Sequence, residues 1–178
     1  MRHLPNILTA ARLLAAPYVF YLLWEEHFIG VLVAFGAIAA TDALDGYLAR
    51  RLNAASHFGA YLDPVADKLL LSGTFLVLTL QGSLRIWLAV IVLGRDVLIL
   101  LAAAYFYIRS TRRAFPPSEW GKASTLTQIV FVMFTLGSLA GIAVGMMPDL
   151  LGLLVAALVL ISTVDYSLRM RNTAVILS

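Results

Sequence analysis

The sequence predicts an all-α, polytopic membrane protein with six transmembrane helices and a short N-terminal interfacial segment. Three observations carry that prediction. Of the 178 residues, 61% are hydrophobic and only 13% charged, and the mean hydropathy is +0.90, far above an ordinary soluble domain. Apolar runs of membrane-spanning length recur from end to end, and helices satisfy their backbone groups in lipid where open strands cannot. The basic residues also segregate to one side once the runs are laid out as alternating spans.

The first apolar segment runs from Leu4 to Trp24, its start before Arg12 lying along the membrane surface. Arg2 and His3 precede it and Arg12 interrupts it, so it reads as a retained element and not a cleaved signal. The second runs from Phe28 to Ala49, the third from Ala60 to Leu80 and the fourth from Ile86 to Ile108. The fifth is placed over Thr125 to Gly145 and the sixth over Leu150 to Leu168. Arg2, Arg12, Arg50, Arg51, Arg109, Arg112, Arg113, Lys122, Arg169 and Arg171 then share one side, opposite Glu25, Glu26, Asp149 and a lone Arg85. The positive-inside rule puts both termini in the cytoplasm. Trp24, Trp87 and Trp120 fall near helix ends, as interfacial anchors do.

With no linker or low-complexity tract, residues 1–178 read as a single membrane domain. The net charge of +3 reflects loops facing anionic lipid and not a nucleic-acid partner. The absence of cysteine excludes disulfides and thiolate metal sites. His3, His27 and His57 are too scattered for a zinc site. Gly137, Gly141 and Gly145 repeat every fourth residue, which on one helix makes either a dimer contact or ordinary close packing.

The chemistry concentrates between Asp42 and Asp67. Asp42 and Asp45 are three apart, and Asp63 and Asp67 four apart. On helices each pair shares a face, so a hairpin of the second and third helices can aim four carboxylates into one space. Intramembrane carboxylates are costly and repel one another, which points to bound metal. Oxygen-only donors favour Mg²⁺ or Mn²⁺ over zinc, and four carboxylates suit two ions; the EF-hand pattern expected for Ca²⁺ is absent. Gly46 and Gly59 let a ligand or neighbouring helix approach the backbone. Arg50 can hold a phosphate with its planar fork.

The string Asp42-x2-Asp45-Gly46-x2-Ala49-Arg50-x8-Gly59-x3-Asp63-x3-Asp67 resembles, at every specified position, the signature of the CDP-alcohol phosphotransferase family. Asn6, Thr9, Arg12 and Pro17 are similar to that family's N-terminal segment. The resemblance implies transfer from a CDP-linked donor, usually CDP-diacylglycerol, to an alcohol with release of CMP, in a homodimer; a bacterial inner membrane is the expected location, and the positive-inside rule puts the aspartate cluster on its cytoplasmic side. It implies Asp42, Asp45 and Asp63 as metal ligands. Asp67 becomes the general base and a further metal contact. Asp45, Gly46, Ala49, Arg50 and Gly59 would line the CDP site.

The acceptor is read from residues outside the signature. Arg95, near the middle of the fourth helix and followed by Asp96, must face a polar interior. It either pairs with a carboxylate elsewhere or contacts an acceptor's phosphate. Lys122, near the start of the fifth helix, can contribute to a phosphate site there. Gly94-Arg95-Asp96, with Gly121-Lys122 and Thr125, resembles the phosphatidylglycerophosphate synthase branch, which implies glycerol 3-phosphate as acceptor. The compact loop between the fourth and fifth helices is also similar to the cardiolipin synthases, whose acceptor is phosphatidylglycerol. Asp165 is expected to pair with Arg169. A cation transporter is the reading from another class, but it would spread polar residues over several helices at mid-membrane depth, often in repeated halves.

Overall fold

The computed structural model describes residues 4–38, 59–108 and 118–177, with side chains over 14–38, 68–101 and 118–168. Every regular element among them is a helix. They are α1 (Leu4–Trp24), α2 (Phe28–Ile38), α3 (Gly59–Leu80), α4 (Ile86–Ile108), α5 (Glu119–Leu139) and α6 (Met147–Leu177). The bounds of α1 and α4 coincide with those read from the sequence, and α3 begins one residue earlier. The predicted continuation of the second helix over 39–49 lies outside the described residues. Within them, Glu119–Leu139 and Met147–Leu168 are each long and apolar enough to cross a membrane. Large apolar side chains stand exposed on all six helices, among them Leu14, Ile29, Leu76, Leu98, Leu126 and Leu160. Such surface is expected where lipid is the solvent.

The helices fall into two compact units. The first holds α1, α2, α3 and residues Thr135–Ala143, the end of α5 and the turn after it. Ala16, Val19 and Leu23 recur on one face of α1 and are buried, as are Leu71, Phe75 and Leu78 of α3 and Val31 and Phe35 of α2; recurrence at three and four residues makes a packing stripe. α1 and α3 approach closely because Gly73 has no side chain: a methyl group built there would overlap the Phe20 ring. Gly73→Ala is therefore expected to destabilise the detergent-solubilised protein by about 1–3 kcal/mol. A lowered thermal midpoint, partly restored by pairing it with Phe20→Leu, checks this.

Three helices end the same way. At α1, Glu26 N donates to Leu23 O (3.0 Å) and His27 N to Leu22 O (2.9 Å). At α3, Gly82 N donates to Thr79 O and Ser83 N to Leu78 O; at α5, Gly141 N donates to Ser138 O and Ile142 N to Gly137 O. These paired bonds form the Schellman motif, whose closing residue takes a left-handed backbone. Gly82 (φ 74°) and Gly141 (φ 82°) do so freely, whereas Glu26 (φ 58°) carries a penalty of about 1–2 kcal/mol. Gln81 Nε2 adds a bond to Leu23 O at 2.7 Å, satisfying a carbonyl at the end of α1.

The glycine repeat is corrected by this geometry. α5 stops at Leu139, so only Gly137 of the three lies on it. Gly141 closes the helix, and Gly145, at φ 59°, lies in the turn before α6. They form no common helical face, for a dimer or for packing. α5 lies six residues earlier at each end than the span Thr125 to Gly145 expected from the sequence. Ser118 starts it: its Oγ accepts from Gly121 N at 3.0 Å and its carbonyl from Lys122 N at 3.0 Å, the geometry of an N-cap. α6 likewise begins earlier and runs farther than Leu150 to Leu168.

The second unit holds α4, the remainder of α5 and α6. α4 and α6 run parallel, with Arg85 and Asp149 just before and within their first turns, 4.0 Å apart and exposed. α5 runs antiparallel to both. Gly152 of α6 meets Phe131 of α5 and Leu88 of α4, and Val92, Val132, Val155 and Val159 complete the buried apolar layer.

Candidate functional site

Of the signature residues, Asp42, Asp45, Gly46, Ala49 and Arg50 lie outside the described residues, as does His57. Gly59 is the first residue of α3, and Asp63 and Asp67 follow on its first turns. Four residues apart on a continuous helix, these two aspartates occupy one face. Their side chains, and that of Arg169, lie outside the described ones. No group of three or more His, Cys, Asp or Glu gathers among the described residues, so the metal expectation rests on the signature carboxylates. Their donor chemistry fits a hard divalent cation: carboxylate oxygens alone, with no imidazole or thiolate in the set.

The second unit carries the buried polar chemistry. Arg95, Asp96, Ser118, Ser124, Gln128 and Ser162 are all buried there, against Thr74 and Thr135 in the first unit. Arg95, 4% exposed, anchors the group. Its Nη1 donates to Asp96 Oδ1 at 2.8 Å and its Nη2 to Ser162 Oγ of α6 at 3.0 Å. The guanidinium lies 5.9 Å from the centroid of the Tyr166 ring, within reach of a cation–π attraction. The carboxylate partner is thus the adjacent residue on α4, not one elsewhere in the bundle. Arg95 Nε is buried with no hydrogen-bond partner among the described residues, a situation that costs about 1–3 kcal/mol unless a ligand supplies the acceptor.

The first turn of α5 closes on this guanidinium. A Cβ at Gly121 would stand 3.4 Å from Arg95 Nη2, 3.4 Å from Tyr166 and 3.2 Å from Ser118 Oγ. α5 therefore begins alongside the middle of α4, which rises about 20 Å beyond Arg95. The niche combines a buried cation, an unpaired donor and the positive end of a helix, the ingredients of an anion site. Lys122 is placed differently: exposed in the same turn, its Nζ lies 2.8 Å from Glu119 Oε1.

Sequence reasoning missed Ser118, Gly121 as a close approach, Ser162 and Tyr166. The signal available was weak: Ser162-Thr163 and Asp165-Tyr166 interrupt an otherwise apolar α6. Trp24, Trp87 and Trp120 are partly exposed at helix termini, as their positions in the sequence suggested.

Helices throughout the regular elements of the described residues, exposed apolar faces and a complete aspartate signature in the sequence describe a membrane-associated transferase of CDP-linked alcohols. The chain matches the CDP-alcohol phosphatidyltransferase family model over residues 2–164 and belongs to that family. It is 33% identical over 180 residues to a protein of Aquifex aeolicus named CDP-diacylglycerol–glycerol-3-phosphate 3-phosphatidyltransferase, covering 94% of this chain and 95% of that one. A Pseudomonas fluorescens protein of the same name is 34% identical over 145 residues, 76% of this chain and 73% of its own. A human protein named cardiolipin synthase (CMP-forming) is 39% identical over 107 residues, 60% of this chain and 35% of its own. The chain is accordingly a membrane-associated phosphatidyltransferase.

Proposed function

We propose that this chain transfers the phosphatidyl group from CDP-diacylglycerol to glycerol 3-phosphate and releases CMP, a step of phospholipid biosynthesis. The observation that carries the choice of acceptor is coverage. The relative similar over nearly the whole of both chains bears the glycerol-3-phosphate name, whereas the similarity to the human cardiolipin synthase stops at 60% of this chain. The enzyme is a homodimer with six spans in a bacterial inner membrane, with its termini and active site in the cytoplasm. The basic-residue distribution and the family resemblance support that reading.

Asp42, Asp45, Asp63 and Asp67 hold Mg²⁺ or Mn²⁺, two ions in all. When bound, these ions neutralise the diphosphate and stabilise the leaving oxygen of CMP. Asp45, Gly46, Ala49 and Gly59 line the CDP site, where Arg50 pairs with phosphate oxygens through its planar fork. Arg95 and Lys122 bind the acceptor's phosphate. Asp67 accepts the proton of the acceptor hydroxyl as its oxygen attacks the phosphorus carrying diacylglycerol. The bond from that phosphorus to the bridging oxygen breaks, and CMP departs with the electron pair.

The test supplies purified protein with CDP-diacylglycerol, Mg²⁺ or Mn²⁺, and one acceptor at a time: glycerol 3-phosphate, phosphatidylglycerol, serine or inositol phosphate. The expected lipid product is phosphatidylglycerophosphate. Cardiolipin as the main product would transfer the assignment to the cardiolipin synthase reading.

A further inference from the structure

We infer that Ser162 of α6 is a positioning residue for the acceptor, acting through Arg95, and that with Asp96 it fixes which edge of the guanidinium is offered to the acceptor's phosphate. The inference rests on the reading of Arg95 as an acceptor-binding residue and adds the device that orients it.

An arginine side chain has many rotamers, and a phosphate site needs one of them held. Asp96 Oδ1 takes Nη1 at 2.8 Å and Ser162 Oγ takes Nη2 at 3.0 Å. Arg95, Asp96 and Ser162 are 4%, 6% and 0% exposed, so water competes for neither bond. These two contacts come from different helices and occupy the two terminal nitrogens. The donor without a partner among the described residues is Nε. Nε–H and a neighbouring Nη hydrogen form the side-on fork that receives two oxygens of one phosphate.

Ser162 also departs from its neighbours' habit. Thr163 and Ser167 of the same helix donate to the carbonyl four residues back, at 2.7 and 2.8 Å. Ser162 accepts from Arg95 across the interface between α4 and α6. Gly121 completes the arrangement, because a side chain there would press on Nη2, Tyr166 and Ser118. A merely structural tie between two helices does not call for the buried donor that stands unsatisfied beside a helix N-terminus.

Steady-state rates on the full chain in mixed micelles, varying glycerol 3-phosphate at saturating CDP-diacylglycerol, test this with four variants. Ser162→Ala is expected to raise KM for glycerol 3-phosphate about tenfold, with kcat, the donor KM and the thermal midpoint close to wild type. Ser162→Thr, which keeps the hydroxyl, should restore the acceptor KM. Ser162→Cys, nearly isosteric with a weak acceptor, should behave as the alanine variant and serves if that variant does not accumulate. Arg95→Gln tests the underlying reading by itself. An unchanged acceptor KM in Arg95→Gln overturns the role of Arg95, and the inference with it. A raised KM in Arg95→Gln beside a normal KM in both Ser162→Ala and Ser162→Cys overturns the inference alone. A fall in thermal midpoint with both KM values unmoved would make Ser162 a structural tie and overturn it too.

Discussion

Asp67→Asn is expected to lower turnover by roughly 100- to 10,000-fold, the usual contribution of a positioned base, while CDP-diacylglycerol still binds. Asparagine matches aspartate in shape and keeps an oxygen for coordination, but it cannot take the acceptor's proton. Asp67 sits one helical turn after Asp63 on α3, and the roles proposed for the two predict different responses to metal. Asp63→Asn should weaken metal binding and be partly rescued by raised Mg²⁺, whereas raised Mg²⁺ should leave most of the Asp67→Asn defect in place, since metal does not replace a lost base. The measurement is single-turnover CMP release, with donor binding followed separately by titration calorimetry in detergent. CMP release near the wild-type rate in Asp67→Asn would remove the base assignment.

The second large effect is that of metal removal. Treatment with EDTA is expected to reduce CMP release by about 1,000-fold or more, since charge neutralisation of a phosphoryl transfer is worth several kcal/mol. Mg²⁺ or Mn²⁺ should restore activity after dialysis, and Ca²⁺, larger and less strict in geometry, should restore less. The reason lies in the proposed donor set, four carboxylates with no soft ligand. Activity that survives exhaustive chelation, verified by elemental analysis, would contradict the metal role of Asp42, Asp45 and Asp63.

Much of the fold was legible because long apolar runs report directly on helices. The bounds of α1 and α4 follow from apolar runs flanked by Glu25 and Arg85. α5 was misplaced because Gly121, Lys122, Ser124 and Thr125 depress the hydropathy of its first turns. The start signal was nonetheless in the sequence, as Pro116-Pro117-Ser118-Glu119 places a capping serine ahead of a good N-terminal residue. The glycine repeat misled because spacing does not reveal φ. Gly141 and Gly145 are the left-handed residues that end α5 and lead into α6, and their regular interval carries no helical face.

The candidate site divides along similar lines. The aspartate signature is local, so its chemistry can be read from four carboxylates within 26 residues of chain. The surroundings of Arg95 are not local. That a buried arginine faces a polar interior follows from its cost in lipid, but its partners come from two helices, α4 and α6. Asp96 is its immediate neighbour, while Ser162 lies 67 residues away. A single hydroxyl in an apolar helix gives no periodic signal, and its use as an acceptor for Arg95 emerges only when α4 and α6 are packed.

The most direct test of the whole account is stoichiometry. Proteoliposomes containing the purified chain, CDP-diacylglycerol and Mg²⁺ are given glycerol 3-phosphate, and CMP and lipid products are quantified together. One CMP is expected per phosphatidylglycerophosphate formed, and neither product when the acceptor is withheld. Cation flux without CMP release, or CMP formed with phosphatidate when water is the sole acceptor, would contradict it.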